Sequence, residues 1–234
     1  MRILAFAVLL SLFLSACSDS TKRPYRIPYV DGVEVTITAD HIDHQNPPEK
    51  MFDIRATQPG QILAAAAPGW VREIKESGDS SASTNNFVWI EHPLDYCQPI
   101  GSITSSPTPP GECKTCPQGV GKCNEWTLYA HMEQNSVSGF ANLSLNEWVE
   151  EGQAIGIESD VGFTPGGRHV HFAIFNIDRD SLAAQDVPSV NGDYEDYALV
   201  FGRPELVPLF CTAAGLRYPK TNDTHIAGPC PDLQ

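Results

Sequence analysis

Arg168-His169-Val170-His171-Phe172 decides the reading of this chain. Two histidines stand one residue apart among apolar neighbours, directly after a turn-forming Thr164-Pro165-Gly166-Gly167. Side chains on a strand alternate between faces, so residues i and i+2 share one. The spacing predicts a strand over His169–Phe175 with both imidazoles on the same face. Such a pair can set one ring on a metal ion and leave the other for proton transfer. It also fits two ordinary polar residues on the solvent face of an edge strand, so the rest of the chain has to choose.

Working outward, short apolar runs alternate with Gly/Pro turns. Val33–Thr38, Phe52-Asp53-Ile54, Gln61–Ala65, Trp70–Ile74, Asn86–His92, Trp126–His131 and Glu151–Ile157 all read as strands or turn-plus-strand units. Gln58-Pro59-Gly60 and Pro68-Gly69 punctuate them. Frequent short strands with such turns predict a mainly β fold. Between two of these strands, 93–125 breaks the rhythm: it is proline-rich, contains four cysteines and has little apolar periodicity. It reads as a cysteine-rich loop insertion. After Asp178 the pattern weakens, and 179–234 reads as a C-terminal extension packed on the domain, with Leu206–Ala214 as a short helix or strand.

The beginning of the chain is read as targeting rather than fold. Arg2 precedes an apolar run, Ile3–Leu14, too short to span a bilayer, and Leu14-Ser15-Ala16-Cys17 follows. This is similar to a bacterial lipoprotein signal over 1–16, with a lipid placed on Cys17 as the membrane anchor. Residues 17–28 are then a lipidated tether, and 29–178 the main domain. Ser18 after the cysteine points to the outer membrane, on its periplasmic face. The 15 Lys+Arg and 29 Asp+Glu give a net charge of −14, and losing Arg2 makes it −15. So acidic a chain makes nucleic acid a poor partner.

Seven cysteines less Cys17 leave six: Cys97, Cys113, Cys116, Cys123, Cys211 and Cys230. An even set in an exported protein reads as disulfides. The expected partition pairs the first four among themselves and Cys211 with Cys230. The spacing Cys113-x-x-Cys116 leaves a structural zinc site as the rival for the first four.

Six stretches in order carry a resemblance. They are His44…Asp53, Ala64–Val71, Val88-Trp89-Ile90-Glu91-His92, Tyr129-Ala130-His131-Met132, Glu151–Gly156 and His169-Val170-His171-Phe172. Together, over about 44–176, they resemble the lysostaphin/LytM family of zinc metallopeptidases. The resemblance implies a compact, largely antiparallel β-sheet domain with its site in a groove. It implies Zn2+ held by His44, Asp53 and His171, with His131 and His169 acting in catalysis. It also implies an endopeptidase acting on the cross-links or stem peptides of peptidoglycan. There are departures: the gap from His44 to Asp53 is long, so His41 stands as a rival ligand, and the 93–125 insertion puts the relatives' substrate choice in question.

The chemistry is consistent with that set. A dication held by two imidazoles and a carboxylate keeps positive charge and acidifies water. With no His-Glu-x-x-His motif, a histidine is the natural base, and the sequence does not divide the roles between His131 and His169. His92 reads as structural and His225 as a surface residue. Glu91 and Asp43 read as solvated groups, or groups that orient a ligand. Two other functions stay open: a non-catalytic envelope module that recruits or activates other wall hydrolases, and a peptidase for non-wall proteins with the insertion as an exosite.

Overall fold

A computed structural model describes residues 20–40, 42–43, 51–78, 85–93, 124–162, 164, 167–177 and 207–230. The strands are β1 (Ser20–Arg26), β2 (Glu34–Ala39), β3 (Met51–Ala56), β4 (Ile62–Ala64), β5 (Gly69–Lys75), β6 (Phe87–Pro93) and β7 (Asn124–Ala130). They continue with β8 (Trp148–Val149), β9 (Ala154–Ile157), β10 (Val170–Ile177), β11 (Val207–Thr212), β12 (Gly215–Arg217) and β13 (Thr224–Ile226). A single turn of π-helix at Ser136–Phe140 is the one helical element among the described residues. The fold is mainly β, as the turn rhythm predicts, and no described helix is long and apolar enough to cross a membrane.

Eight strands form one sheet in the order β13-β2-β3-β10-β7-β6-β5-β8, with every neighbouring pair antiparallel. Beside it stand a small sheet, β1-β11-β12, and a two-stranded pair, β4-β9. The long strand β10 lies near the middle, between β3 and β7. A strand buried on both faces reads as a continuous apolar run, and this explains Phe87-Val88-Trp89-Ile90. Val88, Ile90, Tyr129, Val170, Phe172 and Ile174 pack into one cluster with Tyr25, Ile27, Tyr29 and Phe210. The alternate residues Phe87, Trp89, Trp126, Leu128, Ala130, Ala173 and Phe175 join Met51 in a second cluster, on what we call the front face. Each large side chain so buried stabilises the fold by roughly 1.5–3 kcal/mol.

Three local readings change. Within the span 17–28, expected as a tether, Ser20–Arg26 forms β1, pairing parallel with β11, and Tyr25 and Ile27 are buried. Its partner is almost two hundred residues away, which local pattern cannot reveal. Leu206–Ala214, open between helix and strand, contains β11. Glu91, read as solvated or ligand-orienting, is buried and paired with Arg72 at 2.5 Å. Cys211 and Cys230 are joined in a disulfide, as expected. Cys17, Cys97, Cys113, Cys116, Cys123 and nearly all of the insertion lie outside the described residues.

Candidate metal and catalytic site

The site is built where β3, β7 and β10 run side by side. In the antiparallel register His171 stands opposite Asp53 on β3 and opposite Ala130 on β7. Directly opposed side chains project to the same face with Cβ atoms about 5 Å apart. His171 therefore shares a face with Asp53, and its Nδ1 lies 3.4 Å from Asp53 Oδ1. A register irregularity between Ile37 and Ala39 falls beside Asp53, and the Thr38 hydroxyl donates to the Asp53 carbonyl at 3.1 Å. Bulges commonly re-aim side chains next to functional sites.

His169 immediately precedes β10, and its Nε2 lies 3.5 Å from the same Asp53 Oδ1. His131 arrives by a different route. Strand β7 ends at Ala130, where the sequence reading carried it through His131. Ala130 faces front, so simple alternation would send residue 131 to the back. Instead His131 adopts φ 63°, a left-handed conformation that costs a non-glycine residue about 1–2 kcal/mol. Its ring comes to 4.7 Å from that of His169 and 5.8 Å from that of His171, centroid to centroid. The turn is held at both ends: the His131 N–H donates to Asn85 Oδ1 at 2.8 Å, and its carbonyl accepts from Ser159 N–H at 3.0 Å. Asn86 clamps the next residue, donating its side-chain amide to the Met132 carbonyl at 3.1 Å.

Backbone carbonyls assign the ring tautomers, because a carbonyl can only accept. His131 Nδ1–H donates to the Val161 carbonyl (2.8 Å) and His169 Nδ1–H to the Gly167 carbonyl (2.7 Å). In each neutral ring Nε2 is then left with its lone pair. His171 has Nε2 3.0 Å from Met51 Sδ and Nδ1 facing Asp53 Oδ1 at 3.4 Å. His131, His169 and His171 each offer one ligand atom, and these all lie within 4.8 Å of one another. Burial, with a further push from His169, lowers the His131 pKa to about 4, against the smaller pull of the Val161 carbonyl and Asp53. Its imidazole is neutral at pH 7, the form that binds metal or accepts a proton.

Imidazole nitrogens converging beside a carboxylate suit a borderline metal such as zinc. Of the expected residues, the fold brings Asp53, His131, His169 and His171 together. His44 and its rival His41 lie outside the described residues. His92 is fully buried at a distance from this cluster along β6, with its two ring nitrogens against the Pro68 carbonyl and Thr127 Oγ1. Asp43 is exposed and accepts from the Thr221 hydroxyl. His225, read as a surface residue, is half-buried on β13, and burial lowers its pKa. Sequence reasoning did not single out Met51, Asn85 or the segment Glu158–Val161 that braces His131 and His169. The available signals were Asn85-Asn86 at the mouth of β6 and a glutamate closing the apolar run Ile155-Gly156-Ile157.

No protein-family model and no curated protein matches the chain. Among solved structures, a zinc-containing peptidase from Vibrio cholerae aligns at 17% identity and TM-score 0.34, over 64% of this chain and 33% of that one. A putative peptidase M23 from Pseudomonas aeruginosa aligns at 15% identity and TM-score 0.35, over 66% and 48%. The SpoIIQ–SpoIIIAH pore-forming complex aligns at 15% identity and TM-score 0.40, over 67% and 85%. The chain thus spans about a third to a half of the length of the first two. Likeness at this level leaves the geometry of the site to carry the functional reading.

Proposed function

We propose that this chain is a zinc-dependent endopeptidase of the lysostaphin/LytM type, acting on peptide bonds in the cross-links or stem peptides of peptidoglycan. The observation that carries the proposal is the convergence of His131, His169 and His171, each offering one ring nitrogen within 4.8 Å of the others, beside Asp53. Two ligand sets are compatible with it, and His171 belongs to both. One is His44, Asp53 and His171, carried by the family resemblance. The other is the three-histidine cluster itself.

When bound, zinc supplies a Lewis acid that polarises a scissile carbonyl and makes water a better nucleophile near neutral pH. The chain's own residues do the rest. Asp53 lies within 3.5 Å of both His169 Nε2 and His171 Nδ1, so a cation held there would sit between the carboxylate and the two rings. In the resemblance-based set, His131 and His169 are the groups that accept the proton of the attacking water at Nε2. A protonated imidazole can then hydrogen-bond the developing oxyanion or deliver a proton to the leaving amine. The carbonyls of Val161 and Gly167 keep the opposite nitrogens protonated, so each ring presents Nε2 inward through the cycle. A lipid on Cys17 and an outer-membrane location facing the periplasm would set such an enzyme beside its polymer.

One observation favours a second reading, a non-catalytic envelope module. His131 and His169 are each only 5% exposed, which restricts a bulky polymer's approach. The deciding experiment uses purified full-length protein and its His171→Ala variant. Metal content is measured, and new amino termini released from purified wall material are counted. The peptidase reading expects bound zinc and amine release by the wild type, with both lost in the variant. Zinc-loaded protein that releases no amines would set the wall-peptidase reading aside, and wild type without bound zinc would favour the module.

A further inference from the structure

Glu158 is a buried acid that the proposed mechanism does not use. Its side chain is fully shielded from solvent. A carboxylate in such a place costs several kcal/mol unless its partners repay the lost hydration. Its surroundings connect it to all three strands that build the site. Oε1 accepts the Ala56 amide N–H at 3.3 Å, at the end of β3, the strand that carries Asp53. Oε2 lies 3.8 Å from Arg168 Nε, and Arg168 is the residue before His169. Arg168 closes the triangle by donating Nη2–H to the Ala56 carbonyl at 2.9 Å.

The backbone of Glu158 makes the third link. It forms an isolated antiparallel bridge with Met132, next to His131. The following residue, Ser159, donates its N–H to the His131 carbonyl and accepts the His169 N–H at 3.3 Å. Val161, three residues on from Glu158, holds His131 Nδ1. One short segment thus touches the backbones of both histidines, and its buried carboxylate ties it to Ala56 and Arg168. Tyr29 donates its hydroxyl to the Ile54 carbonyl at 2.8 Å, and burial together with the Glu158 charge pushes its phenol up.

We propose that Glu158 is a positioning residue: by joining the Ala56 amide to the Arg168 guanidinium it sets the spacing among the His131, His169 and Asp53 elements, and so the geometry of the histidine nitrogens. This rests on the metal-site reading above for its functional consequence, though not for its structural content. Outer partners that orient ligands commonly change metal affinity 10–100-fold when altered. The conservative probe is Glu158→Gln, which keeps an acceptor for Ala56 N–H but sets an uncharged amide beside the Arg168 donors. Arg168→Met is its complement from the other side, and Val149→Ala, a buried truncation on β8 at the edge of the main sheet, four strands from β10, controls for plain loss of stability.

Two measurements on the full chain test it. The first is affinity for Co2+, with the visible d–d spectrum of the bound ion. The second is the 15N imidazole spectrum of metal-free protein, which reports the tautomers of His131 and His169. Glu158→Gln and Arg168→Met are each expected to weaken cobalt binding roughly tenfold or more, to shift its spectrum and to move the His131 and His169 signals. The double variant should be no worse than the poorer single one. Val149→Ala should lower Tm while leaving the spectrum in place. Cobalt affinity within twofold of wild type in Glu158→Gln, or spectral shifts in Val149→Ala as large as in Glu158→Gln, would overturn the proposal. If the wild type binds no cobalt or zinc, the metal reading fails, and the imidazole spectrum alone decides: unchanged signals in Glu158→Gln refute positioning and displaced signals uphold it.

Discussion

Replacing Glu73 by Gln should make the protein more stable at pH 8 and leave it nearly unchanged at pH 4. Glu73 lies on β5 opposite Trp89 of β6, and its Oε2 is buried without a hydrogen-bond partner among the described residues. Burial raises its pKa from 4.5 to about 7, and nearby Lys75 only partly opposes that. A raised carboxylate pKa means the folded state binds the proton more tightly than the unfolded chain does. The associated stability is fully present below pH 4.5 and is lost as pH rises through about 7. At about 1.4 kcal/mol per unit the full span corresponds to about 3 kcal/mol. Glu73 keeps some contact with water, so solvent screening reduces this to about 2 kcal/mol. Gln carries no charge at either pH and escapes the penalty. The assay is urea unfolding of wild type and Glu73→Gln at pH 4 and pH 8, followed by tryptophan fluorescence. A stability difference that is the same at both pH values, or a variant less stable at pH 8, would refute the assignment of a buried, unpartnered carboxylate.

Further outcomes can be checked on the same material. In metal-free protein the His131 imidazole should stay neutral down to about pH 4, where burial and His169 have placed its pKa; a midpoint near 6.5 in a 15N titration would contradict that. Phe172→Ala, which removes a fully buried ring packed against Tyr129 and Phe210, should cost about 3–5 kcal/mol in denaturant unfolding. Cys230→Ser opens a cross-link between residues 19 apart and should lower stability by about 3 kcal/mol, seen as a lower Tm than wild type under non-reducing conditions.

Much of the sheet is legible because its signals are local. Alternation and turn residues mark β2, β3, β5, β6, β7 and β10. His-x-His is conspicuous because charged or polar pairs rarely interrupt an apolar central strand. Asp53 stands out for the same reason, between Phe52 and Ile54. What stays hidden is long-range or conformational. β1 contains Lys22, Arg23 and Pro24 and becomes a strand only through parallel pairing with β11. Glu91 alternates like a solvent-facing residue, and Arg72 reaching across from β5 makes its burial tolerable. The run Trp126–Ala130 reads on through His131 as strand, and no residue pattern announces a left-handed turn at a histidine. The roles of Asn85, Ser159 and Glu158 are set by contacts with residues 10 to 102 positions away, so no window of sequence contains them.

The shared register of β3, β10 and β7 has a consequence for how the gene can change. Asp53 and His171 face each other only because each strand keeps its count from its pairing partner. A substitution in this region alters one side chain. A deletion or insertion of a single codon within 51–56 or 170–177 would turn every following side chain of that strand to the opposite face. At Val170 it would send His171 into the apolar core and Phe172 into the site. Descendants of this chain should therefore vary freely in residue identity along those strands, wherever size and polarity are kept, yet hold their lengths fixed. Gains and losses of sequence should collect between the strands rather than within them.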